Sequence, residues 1–465
     1  MQNKFKYVIV GAGPTGLGAA CRLKELGIDD FIILEKENLA GGLSASFTDG
    51  MGFTWDCGGH VQFSHYTYFD ALMIKALGKE GWLNRQRESW VWIKDRFVPY
   101  PFQSNIRYLP KEDVWKCLQG IIRQYKQPSF TKPANFREWI YSSFGSGIAE
   151  LFMIPYNFKV WAYPPEMLSY NWIGERVETT DLERVSKNIL FELEDISWGP
   201  NSKFQFPKYG GTGSIWLNVA SRIGDDKFHF CKTVNSVNNL QKTIHCTDGS
   251  TYKYHNLIST MPLDILVNGL QEIGNGMKEA VGSLMHSGTH VIGIGLKGAP
   301  KEDLKTKCWM YFPENNCPFY RVTVFSNYSP NNVPDINTHW SLMAEVSEST
   351  CKPVNRNNIV EETIKGLLNT GLINHADEVV SKWHRYLEYG YPTPSVGRDT
   401  VLNKVIPELD KQQIYSRGRF GGWKYEVSNQ DHSLMQGVEI VNKLELNINE
   451  ITFPFPATAN AMWGK

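Results

Sequence analysis

The sequence has no surplus of either charge, because 48 lysine and arginine residues balance 48 aspartate and glutamate residues, a formal net charge of 48 − 48 = 0. It also has no polybasic tract and no basic amphipathic segment. Proteins that bind nucleic acids or anionic membrane surfaces usually carry such basic clusters. The sequence therefore predicts no nucleic-acid partner and no membrane partner, and an anionic ligand must be bound by local groups.

Cysteine is scarce and unpatterned. The eight cysteines form no CxxC pair and show no metal-ligand spacing, so we expect reduced thiols and no metal site. No apolar run approaches the ~18 residues that a membrane-spanning helix needs, and the beginning, MQNKFKYVIVGAG, does not resemble a signal peptide. These absences predict a cytoplasmic protein.

The composition is that of a globular enzyme-sized chain with many aromatic residues. The 465 residues are 42% hydrophobic and 21% charged, and tryptophan, tyrosine and phenylalanine make up 13%. Many of these aromatic residues stand beside glycine, proline, asparagine or arginine. A large aromatic core and an aromatic ligand site both explain this pattern, and it does not separate them.

The N-terminal region has the pattern of a dinucleotide-binding fold. A short apolar strand at residues 7–10 leads into GAGPTG (residues 11–16), a helical pattern follows, and a second apolar strand at residues 31–34 ends at Glu35. The pyrophosphate of a dinucleotide lies at the positive end of the helix that follows such a turn. The order of strand, glycine turn, helix, strand and acid therefore predicts nucleotide binding.

Each glycine of this motif has a separate task. Gly11 makes the tight turn, Gly13 lets backbone N–H groups approach a pyrophosphate, and Gly16 lets the helix pack on the strand. Thr15 lies within the same turn. Glu35 stands nineteen residues after Gly16, where a carboxylate accepts hydrogen bonds from ribose hydroxyls.

Further glycines favour FAD over a nicotinamide cofactor. Gly42 and Leu43 follow soon after Glu35, and DCGGH (residues 56–60) comes next. Repeated positions without a side chain suit close backbone contact with an extended, enclosed ligand better than a ligand at an open edge. We therefore expect bound FAD.

The remaining patterns predict a discontinuous α/β fold. Residues 233–238 and 243–246 read as hairpin strands, residues 256–262 as a strand that returns to the first sheet, and residues 105–204 as helical. We predict a Rossmann-like FAD-binding domain with a helical insertion and an antiparallel-sheet substrate domain. The expected domains are residues 1–86, 205–275 and 412–465 for FAD, 105–204 for the helices, and 87–104 with 276–411 for the substrate.

Two smaller patterns lead to local predictions. The run WSLMAEVS at residues 340–347 alternates in polarity, which predicts a strand with one packed face and one open face. The last thirteen residues, FPFPATANAMWGK, predict a tail with little regular structure.

Several stretches combine arginine, tyrosine, asparagine and tryptophan with turn residues. They are residues 100–105, 155–161, 174–176, 309–311, 319–321, 390–394 and 423–425. Arginine offers a planar fork of donors and tyrosine adds neutral hydroxyl donors, so Arg176 and Arg321 among tyrosines suit a pyrophosphate. Taken singly, either arginine is equally well explained as a structural ion-pair residue.

These motifs resemble the UDP-galactopyranose mutase family of the eukaryotic, especially fungal, type. The resemblance runs from residue 6 to about 440 and is carried by long segments, among them DCGGHVQFSHYTYFD, VPYPFQSNI, LFMIPYNFKVWA, WIGERV, CWMYFPENNCPFYR and RGRFGGWKYEVSNQDHS. It implies a non-redox isomerase that interconverts UDP-galactopyranose and UDP-galactofuranose. Reduced FAD (FADH−) is then the active cofactor and attacks the anomeric carbon through N5, with NADPH as the expected reductant.

The same resemblance assigns roles to individual residues. His60, Arg176 and Arg321 take catalytic positions. The implied substrate contacts are Phe63, Tyr100, Phe102, Gln103, Asn157, Trp161, Asn201, Trp309, Tyr311, Tyr391 and Tyr425. The implied cofactor contacts, besides Gly11, Gly13, Thr15, Gly16, Glu35, Gly42 and Leu43, are Gly59, His60, Val234, Arg419, Asn429, Gln430 and Ser433.

The segment at residues 429–433 precedes a helical pattern at residues 434–444. A helix N-terminus favours nearby negative charge by ~0.3 to 1 kcal/mol, so this one would favour reduced anionic flavin. The alternative is that Asp431 or Ser433 merely caps a surface helix.

Three other functions stay open. The glycine motifs also serve redox flavoenzymes of the same fold, such as amine oxidases and desaturases, although these do not need two arginines among tyrosines. Another UDP-sugar would keep the same arginines, and a sugar-nucleotide binding protein without turnover would keep them too. The oligomeric state is open.

Overall fold

Two seven-stranded sheets organise the chain, and the computed structural model describes residues 4–126, 132–174, 177–196, 202–375 and 377–462. The strands in these residues are β1 (Lys4–Val10), β2 (Phe31–Leu34), β3 (Ser46–Thr48), β4 (Thr54–Asp56), β5 (Trp82–Gln86), β6 (Ser89–Ile93), β7 (Arg96–Pro99), β8 (Lys203–Pro207), β9 (Phe228–His229), β10 (Val234–Asn238), β11 (Thr243–Cys246), β12 (Thr251–Ser259), β13 (His286–Lys297), β14 (Trp309–Tyr311), β15 (Arg321–Val324), β16 (His339–Glu348), β17 (Val379–Pro392) and β18 (Ile414–Ser416).

The helices lie around and between these sheets. They are α1 (Pro14–Glu25), α2 (Thr67–Leu77), α3 (Lys111–Lys126), α4 (Phe136–Ile148), α5 (Ile154–Trp161), α6 (Leu182–Leu190), α7 (Gly213–Ile223), α8 (Leu263–Gly269), α9 (Asn275–Gly282), α10 (Ile359–Asn369), α11 (Arg398–Lys411), α12 (Gln430–Leu446) and α13 (Pro456–Asn460).

The first sheet, which we call the nucleotide sheet, has the order β10-β11-β12-β1-β2-β9, with β18 also paired to β12. Strand β1 lies parallel to β2 and β12, and Val10 at its end is opposite Leu34 and Ser259. The carboxyl ends of three parallel strands therefore meet at one edge. Ligands of open α/β sheets bind at this edge.

The second sheet, which we call the substrate sheet, has the order β17-β13-β16-β15-β14-β6-β7, and its pairs are antiparallel except β14 with β6. The expectation of an open face on β16 is wrong, because residues 340–347 are buried on both faces. Ser347 donates to the Lys159 carbonyl, and Glu345 binds Arg321. The polar side chains of β16 are thus bonded to α5 and to Arg321 of the neighbouring strand β15.

The helical insertion packs around an apolar cluster, here called the helical core, to which Val91 and Val98 of the substrate sheet also belong. Helices α3 to α6 contribute to this cluster, which includes Ile121, Ile140 and Phe144, and Tyr311, Tyr391 and Tyr425 pack against its edge. Side chains cap two of these helices: Asn135 accepts from the Glu138 amide at 3.0 Å and Asp181 from the Arg184 amide at 2.8 Å. The predicted α/β fold with a helical insertion and an antiparallel sheet is confirmed.

The domain boundaries remain a prediction, and the packing of α11 bears on one of them. Val405 and Leu409 of α11 lie in the same buried cluster as Val8 and Leu257 of the nucleotide sheet. This helix belongs by sequence to the interval 276–411 that we expected to form part of the substrate domain. Its apolar face nevertheless packs on the other sheet.

The C-terminal prediction is wrong in part. Phe453 and Ala459 are buried, and the short helix α13 lies within the last thirteen residues. Among the residues that the structure describes, no helix combines the length and apolar character needed to cross a membrane. All eight cysteines are unpaired thiols.

Candidate active site

The glycine turn brings backbone atoms into direct contact. A side chain on Gly16 would place its Cβ 1.9 Å from the Gly11 carbonyl oxygen, and Gly11 itself has a φ of 101°. Helix α1 begins directly after this turn, and its N-cap residue Gly13 has no side chain that could cap the helix. The first amides of α1 are therefore free of a protein cap and are suited to a phosphate group.

Glu35 lies at the carboxyl edge of the nucleotide sheet, beside the glycine turn. Its carboxylate accepts from the Ala12 amide at 2.7 Å and from the Glu37 amide at 2.9 Å. Burial raises the pKa of Glu35, while these two backbone hydrogen bonds oppose the rise. The structure thus places the acid beside the glycine turn, where the sequence predicts a ribose contact.

The other predicted cofactor residues of this region lie nearby. The Gly41 amide donates to the Ala12 carbonyl at 2.9 Å, and a Cβ on Gly42 would lie 3.3 Å from the Gly13 Cα. Leu43 and Val234 belong to the apolar cluster under the nucleotide sheet. Thr15 is buried against Gly418, whose Cβ would lie 2.4 Å from the Thr15 hydroxyl.

The second helix N-terminus of the site is that of α12. Asn429 is its N-cap residue and makes no side-chain capping bond, while the Ser433 amide donates to the Asn429 carbonyl at 2.8 Å. Gln430 accepts from the Trp216 indole at 2.8 Å. Ten of the 17 residues of α12 are buried, so the alternative of a capped surface helix is wrong.

Asp431 binds a neighbouring loop and does not cap its own helix. Its carboxylate accepts from the His65 amide at 3.1 Å and lies 2.7 Å from His65 Nδ1, and the His432 ring lies on its other side at 3.1 Å. Burial raises the pKa of Asp431, but the two histidines outweigh burial and hold it far below its usual range. This buried cluster fixes the loop before α2 to the first turn of α12.

The loop at residues 58–60 lies against the substrate sheet, because the Gly59 amide donates to Glu345 of β16. The pKa of His60 falls to about 4, mainly because of burial and also because of the nearby Arg419 and Arg321, against an opposing effect of Glu345. The imidazole is therefore neutral at physiological pH. Its buried Nδ1 has no hydrogen-bond partner among the described residues, which leaves one polar atom for a ligand.

Glu345 joins this loop to the arginine of the substrate sheet. It accepts from the Gly59 amide at 3.0 Å, from the Tyr320 hydroxyl at 2.6 Å, and from Arg321 Nε and Nη2 at 2.9 and 2.7 Å. Burial raises the pKa of Glu345, but Arg321, Tyr320 and the Gly59 amide hold it below its usual value. Four hydrogen bonds converge on one buried carboxylate.

Arg321 remains available to a ligand despite this pairing. Its side chain is 20% exposed, whereas that of Glu345 is 2% exposed. Burial lowers the pKa of Arg321, but Glu345 and the surrounding tyrosines raise it well above its usual value, so the guanidinium stays charged. The pair uses Nε and Nη2, and Nη1 takes no part in it.

The predicted tyrosines form one aromatic site that reaches Arg321. The ring of Tyr391 lies 5.8 Å from that of Tyr425 and 6.5 Å from that of Tyr320, and Trp161 packs edge-on against Tyr425 at 4.8 Å. Tyr311 sits 5.5 Å from Tyr100. Tyr311 and Tyr391 thus lie close to Arg321, and Tyr100, Tyr425 and Trp161 extend the aromatic site from these two rings.

Other predicted substrate residues are used within the protein. Gln103 donates to the Glu178 carbonyl at 2.7 Å, and Asn157 donates to the Met153 carbonyl at 2.8 Å. Phe102 is fully buried and packs 4.6 Å from Phe152 in the helical core. Direct contact of these side chains with a ligand stays a prediction.

Trp309, Phe63 and Arg419 complete the residues that the sequence singled out. Trp309 has a buried indole nitrogen without a protein partner among the described residues, 3.2 Å from where a Cβ on Gly59 would lie. Phe63 contacts His65 edge-on at 6.1 Å. Arg419 donates to the Gly390 carbonyl at 2.9 Å and to the Ser428 hydroxyl at 2.8 Å. Arg176 and Asn201 lie outside the described residues.

Two residues of this region were missed from the sequence. Tyr156 lies between Phe152 and Tyr311, with its ring 5.4 Å from Tyr311, and its neighbour Asn157 was chosen instead. Glu345 was placed on a solvent face. The available signal was an acidic residue within a strand that also carries methionine and serine. Such an acid can be buried if it has a charged partner, since buried acids are nearly always paired.

These features are compatible with bound FAD. The open amides of α1, the buried acid Glu35 and the open N-terminus of α12 suit a dinucleotide and an anionic ring, and His60 supplies an unpartnered nitrogen. None of these groups requires a metal ion. The residues thus fit the cofactor that the glycine motif predicts.

Fold and site together define a flavoprotein of the amine-oxidase type. A family model described as flavin containing amine oxidoreductase matches residues 14–404. A crystal structure of reduced UDP-galactopyranose mutase is 48% identical to this chain, covering 98% of this chain and 97% of that chain, with a TM-score of 0.95. The chain belongs to the UDP-galactopyranose mutase family, whose members are isomerases.

More distant structures share only the fold. A fatty acid isomerase from P. acnes is 13% identical, covers 95% of this chain and 99% of its own, and has a TM-score of 0.63. A wild-type putrescine oxidase bound to putrescine is 15% identical, covers 96% of this chain and 99% of its own, and has a TM-score of 0.61. Identities this low carry no conclusion about substrate.

Proposed function

We propose that this chain interconverts UDP-galactopyranose and UDP-galactofuranose without net oxidation. The observation that carries the proposal is the charged, partly exposed Arg321, which lies among Tyr311, Tyr391 and Tyr425 and is tied through Glu345 to the Gly59 loop. A redox site for an apolar amine would not need this polar constellation. The 48% identical mutase supports the same substrate.

Arg321 and the tyrosines are proposed to bind the diphosphate of the UDP-sugar. UDP leaves the anomeric carbon with two negative charges, and each charge-assisted hydrogen bond to them contributes roughly 1.5 to 3 kcal/mol. Arg176 is proposed to share this task, on the evidence of its sequence motif alone. Tyr100, Phe102 and Gln103 are the proposed uridine contacts.

When bound, reduced FAD supplies N5 as the nucleophile for the anomeric carbon. The open N-terminus of α12 at Asn429 would favour the anionic reduced ring, and neutral His60 would offer its unpartnered Nδ1 beside it. Glu345 holds the Gly59 loop and Arg321 at a fixed distance from each other. The chain thereby orients the sugar against the cofactor.

Two finer points are proposed on the resemblance alone. We propose NADPH as the reductant and a eukaryotic, fungal-type relationship. Anaerobic reduction of the bound flavin by NADPH and by NADH, followed by absorbance, compares the two reductants. Equal or faster reduction by NADH would contradict the assignment.

Turnover of the reduced protein tests the main proposal. Purified FAD-loaded protein is reduced with dithionite and incubated without oxygen with UDP-galactofuranose, and UDP-galactopyranose is followed by chromatography. We expect conversion by the reduced protein, none by the oxidised protein, and near-complete loss in Arg321→Ala with FAD retained. No conversion by the reduced wild-type protein would contradict the proposal, and a panel of UDP-sugars defines the preferred hexose.

A further inference from the structure

The C-terminal segment, residues 448–462, is bonded to α12 and to Arg417, which follows strand β18 of the nucleotide sheet. Glu450 accepts from Arg417 Nη2 at 2.9 Å and from Lys443 Nζ at 2.9 Å. Glu439 of α12 accepts from the Thr452 amide and hydroxyl at 2.8 and 2.7 Å. The ion pair of Glu450 with Arg417 and the hydrogen bonds of Thr452 to Glu439 fix this segment to the rest of the fold.

Two residues of this C-terminal segment, Phe453 and Asn460, contact the two neighbours of Tyr425. Lys424 Nζ donates to the Phe453 carbonyl at 3.0 Å and lies 4.7 Å above the Phe453 ring. Asn460 Nδ2 donates to the Glu426 carbonyl at 3.0 Å. The residues directly before and after Tyr425 are therefore both bonded to the same segment.

Tyr425 itself points away from these contacts into the aromatic site. Its ring packs edge-on against Trp161 at 4.8 Å and Trp172 at 5.4 Å and lies 5.8 Å from Tyr391. The Glu426 side chain fixes the opposite side, because both its oxygens bind Arg398 at 2.8 Å. The backbone of Tyr425 is thus held from outside the site while its ring lies inside it.

We propose that Lys424 and Asn460 are positioning residues for substrate binding, acting through Tyr425. The C-terminal segment, by holding the Lys424 side chain on one side of Tyr425 and the Glu426 carbonyl on the other, sets where the phenol hydroxyl meets the ligand diphosphate. A phenol oxygen lies several bonds from the backbone, so a small rotation of the loop displaces it by more than a hydrogen bond tolerates. This proposal rests on the function proposed above.

A double-mutant cycle on the FAD-loaded protein tests the coupling. Affinity for UDP is measured by titration calorimetry for wild type, Asn460→Ala, Tyr425→Phe and the double variant. We expect Asn460→Ala to weaken UDP binding about tenfold, the value of one hydrogen bond, and to weaken it less than about twofold in the Tyr425→Phe background. KM for the UDP-sugar should rise in parallel with little change in kcat.

Controls separate positioning from general destabilisation. Lys424→Met tests the same proposal from the other neighbour and replaces Asn460→Ala if that variant does not fold. Asn239→Ala removes a similar bond, from Asn239 Nδ2 to the Glu272 carbonyl at 2.7 Å, at the edge of the nucleotide sheet and should leave UDP affinity unchanged. Equal losses in both Tyr425 backgrounds, or unchanged affinity in Asn460→Ala and Lys424→Met, would overturn the proposal. Wild-type protein that does not bind UDP would instead overturn the proposed function.

Discussion

Glu345 and Arg321 form the ion pair on which the site geometry depends. The carboxylate is 2% exposed and accepts four hydrogen bonds, one of them from the loop that carries His60. Removing one partner of a buried pair leaves the other charge uncompensated. Effects of a substitution here should therefore appear in turnover as well as in stability.

Glu345→Gln keeps the size of the side chain but removes its charge. We expect kcat/KM of the reduced enzyme to fall about 10- to 100-fold, because the two charge-assisted bonds that orient Arg321 are weakened. The measurement is steady-state turnover of UDP-galactofuranose. Glu348→Gln is the matched control, since Glu348 lies on the same strand and pairs with Arg356; an equal loss there would contradict a specific role for Glu345.

His60 gives the protein a defined pH dependence. Its pKa is about 4 in the folded chain because of burial, and about 6.5 in an unfolded chain. Between these values the unfolded chain binds more protons, so the free energy of unfolding decreases as the pH falls. His60→Gln should remove about 2 kcal/mol of the stability difference between pH 7 and pH 5, measured by urea unfolding with FAD bound. Parallel pH profiles for both proteins would contradict this.

Individual site residues were predictable from sequence to different degrees. Arg321 and Tyr391 stand in long motifs, and the structure places both in the aromatic site. Glu345 was missed because alternation along β16 is compatible with either an open polar face or a buried, paired one. Only the strand register, which sets Glu345 opposite Arg321, distinguishes them.

At the scale of elements, the N-terminal strand, turn and helix followed from local chemistry. The strand at residues 31–34 was predicted with its observed bounds, and β12 returns beside β1 as expected. The C-terminal segment was not predictable, because its order comes from contacts with Glu439 and Arg417 that lie earlier in the chain. Contacts between segments that are distant in the chain produce no hydrophobic periodicity in the local sequence.

Gly16→Ala tests the glycine turn. Its Cβ would lie 1.9 Å from the Gly11 carbonyl, so the turn and the start of α1 must shift. We expect protein that no longer retains FAD on gel filtration, seen as loss of flavin absorbance. Gly274→Ala is the control, because Gly274 has a φ of −62° and no heavy atom within 4 Å of the added Cβ. FAD retained by Gly16→Ala would contradict the assignment of this turn.

Lys159 ties α5 to the substrate sheet. Its buried Nζ donates to the Glu314 and Cys317 carbonyls at 2.8 and 3.0 Å, in the loop before Arg321, and burial lowers its pKa. Lys159→Met leaves these buried carbonyls without a donor, so we expect a loss of about 1 to 3 kcal/mol in unfolding free energy. Lys116→Met, at an exposed surface pair, should change it by less than about 0.5 kcal/mol. Similar values for both would show that the α5 contact is not stabilising.

At the scale of the whole molecule, the site lies where the helical core, the substrate sheet and the nucleotide sheet meet. Tyr311, Tyr391 and Tyr425 pack at the edge of the helical core, while Glu345 and Gly59 join the substrate sheet to the cofactor loop. The balanced net charge fits this arrangement, because the anionic ligands are bound by local donors.

A ligand held by all three parts should stabilise the whole chain. At a UDP concentration a hundredfold above its Kd, we expect about 2.7 kcal/mol of added stability, measured as a rise in Tm. The same UDP concentration should produce no rise in Arg321→Ala. A Tm increase in that variant equal to wild type would place the diphosphate elsewhere.

The central claim is that reduced flavin is needed but not consumed. The direct measurement follows flavin absorbance and UDP-sugar products together, without oxygen and without free reductant, after a single reduction of the enzyme. The account predicts many turnovers of UDP-galactofuranose to UDP-galactopyranose per flavin while the flavin stays reduced. Oxidation of one flavin for each substrate molecule converted would contradict it.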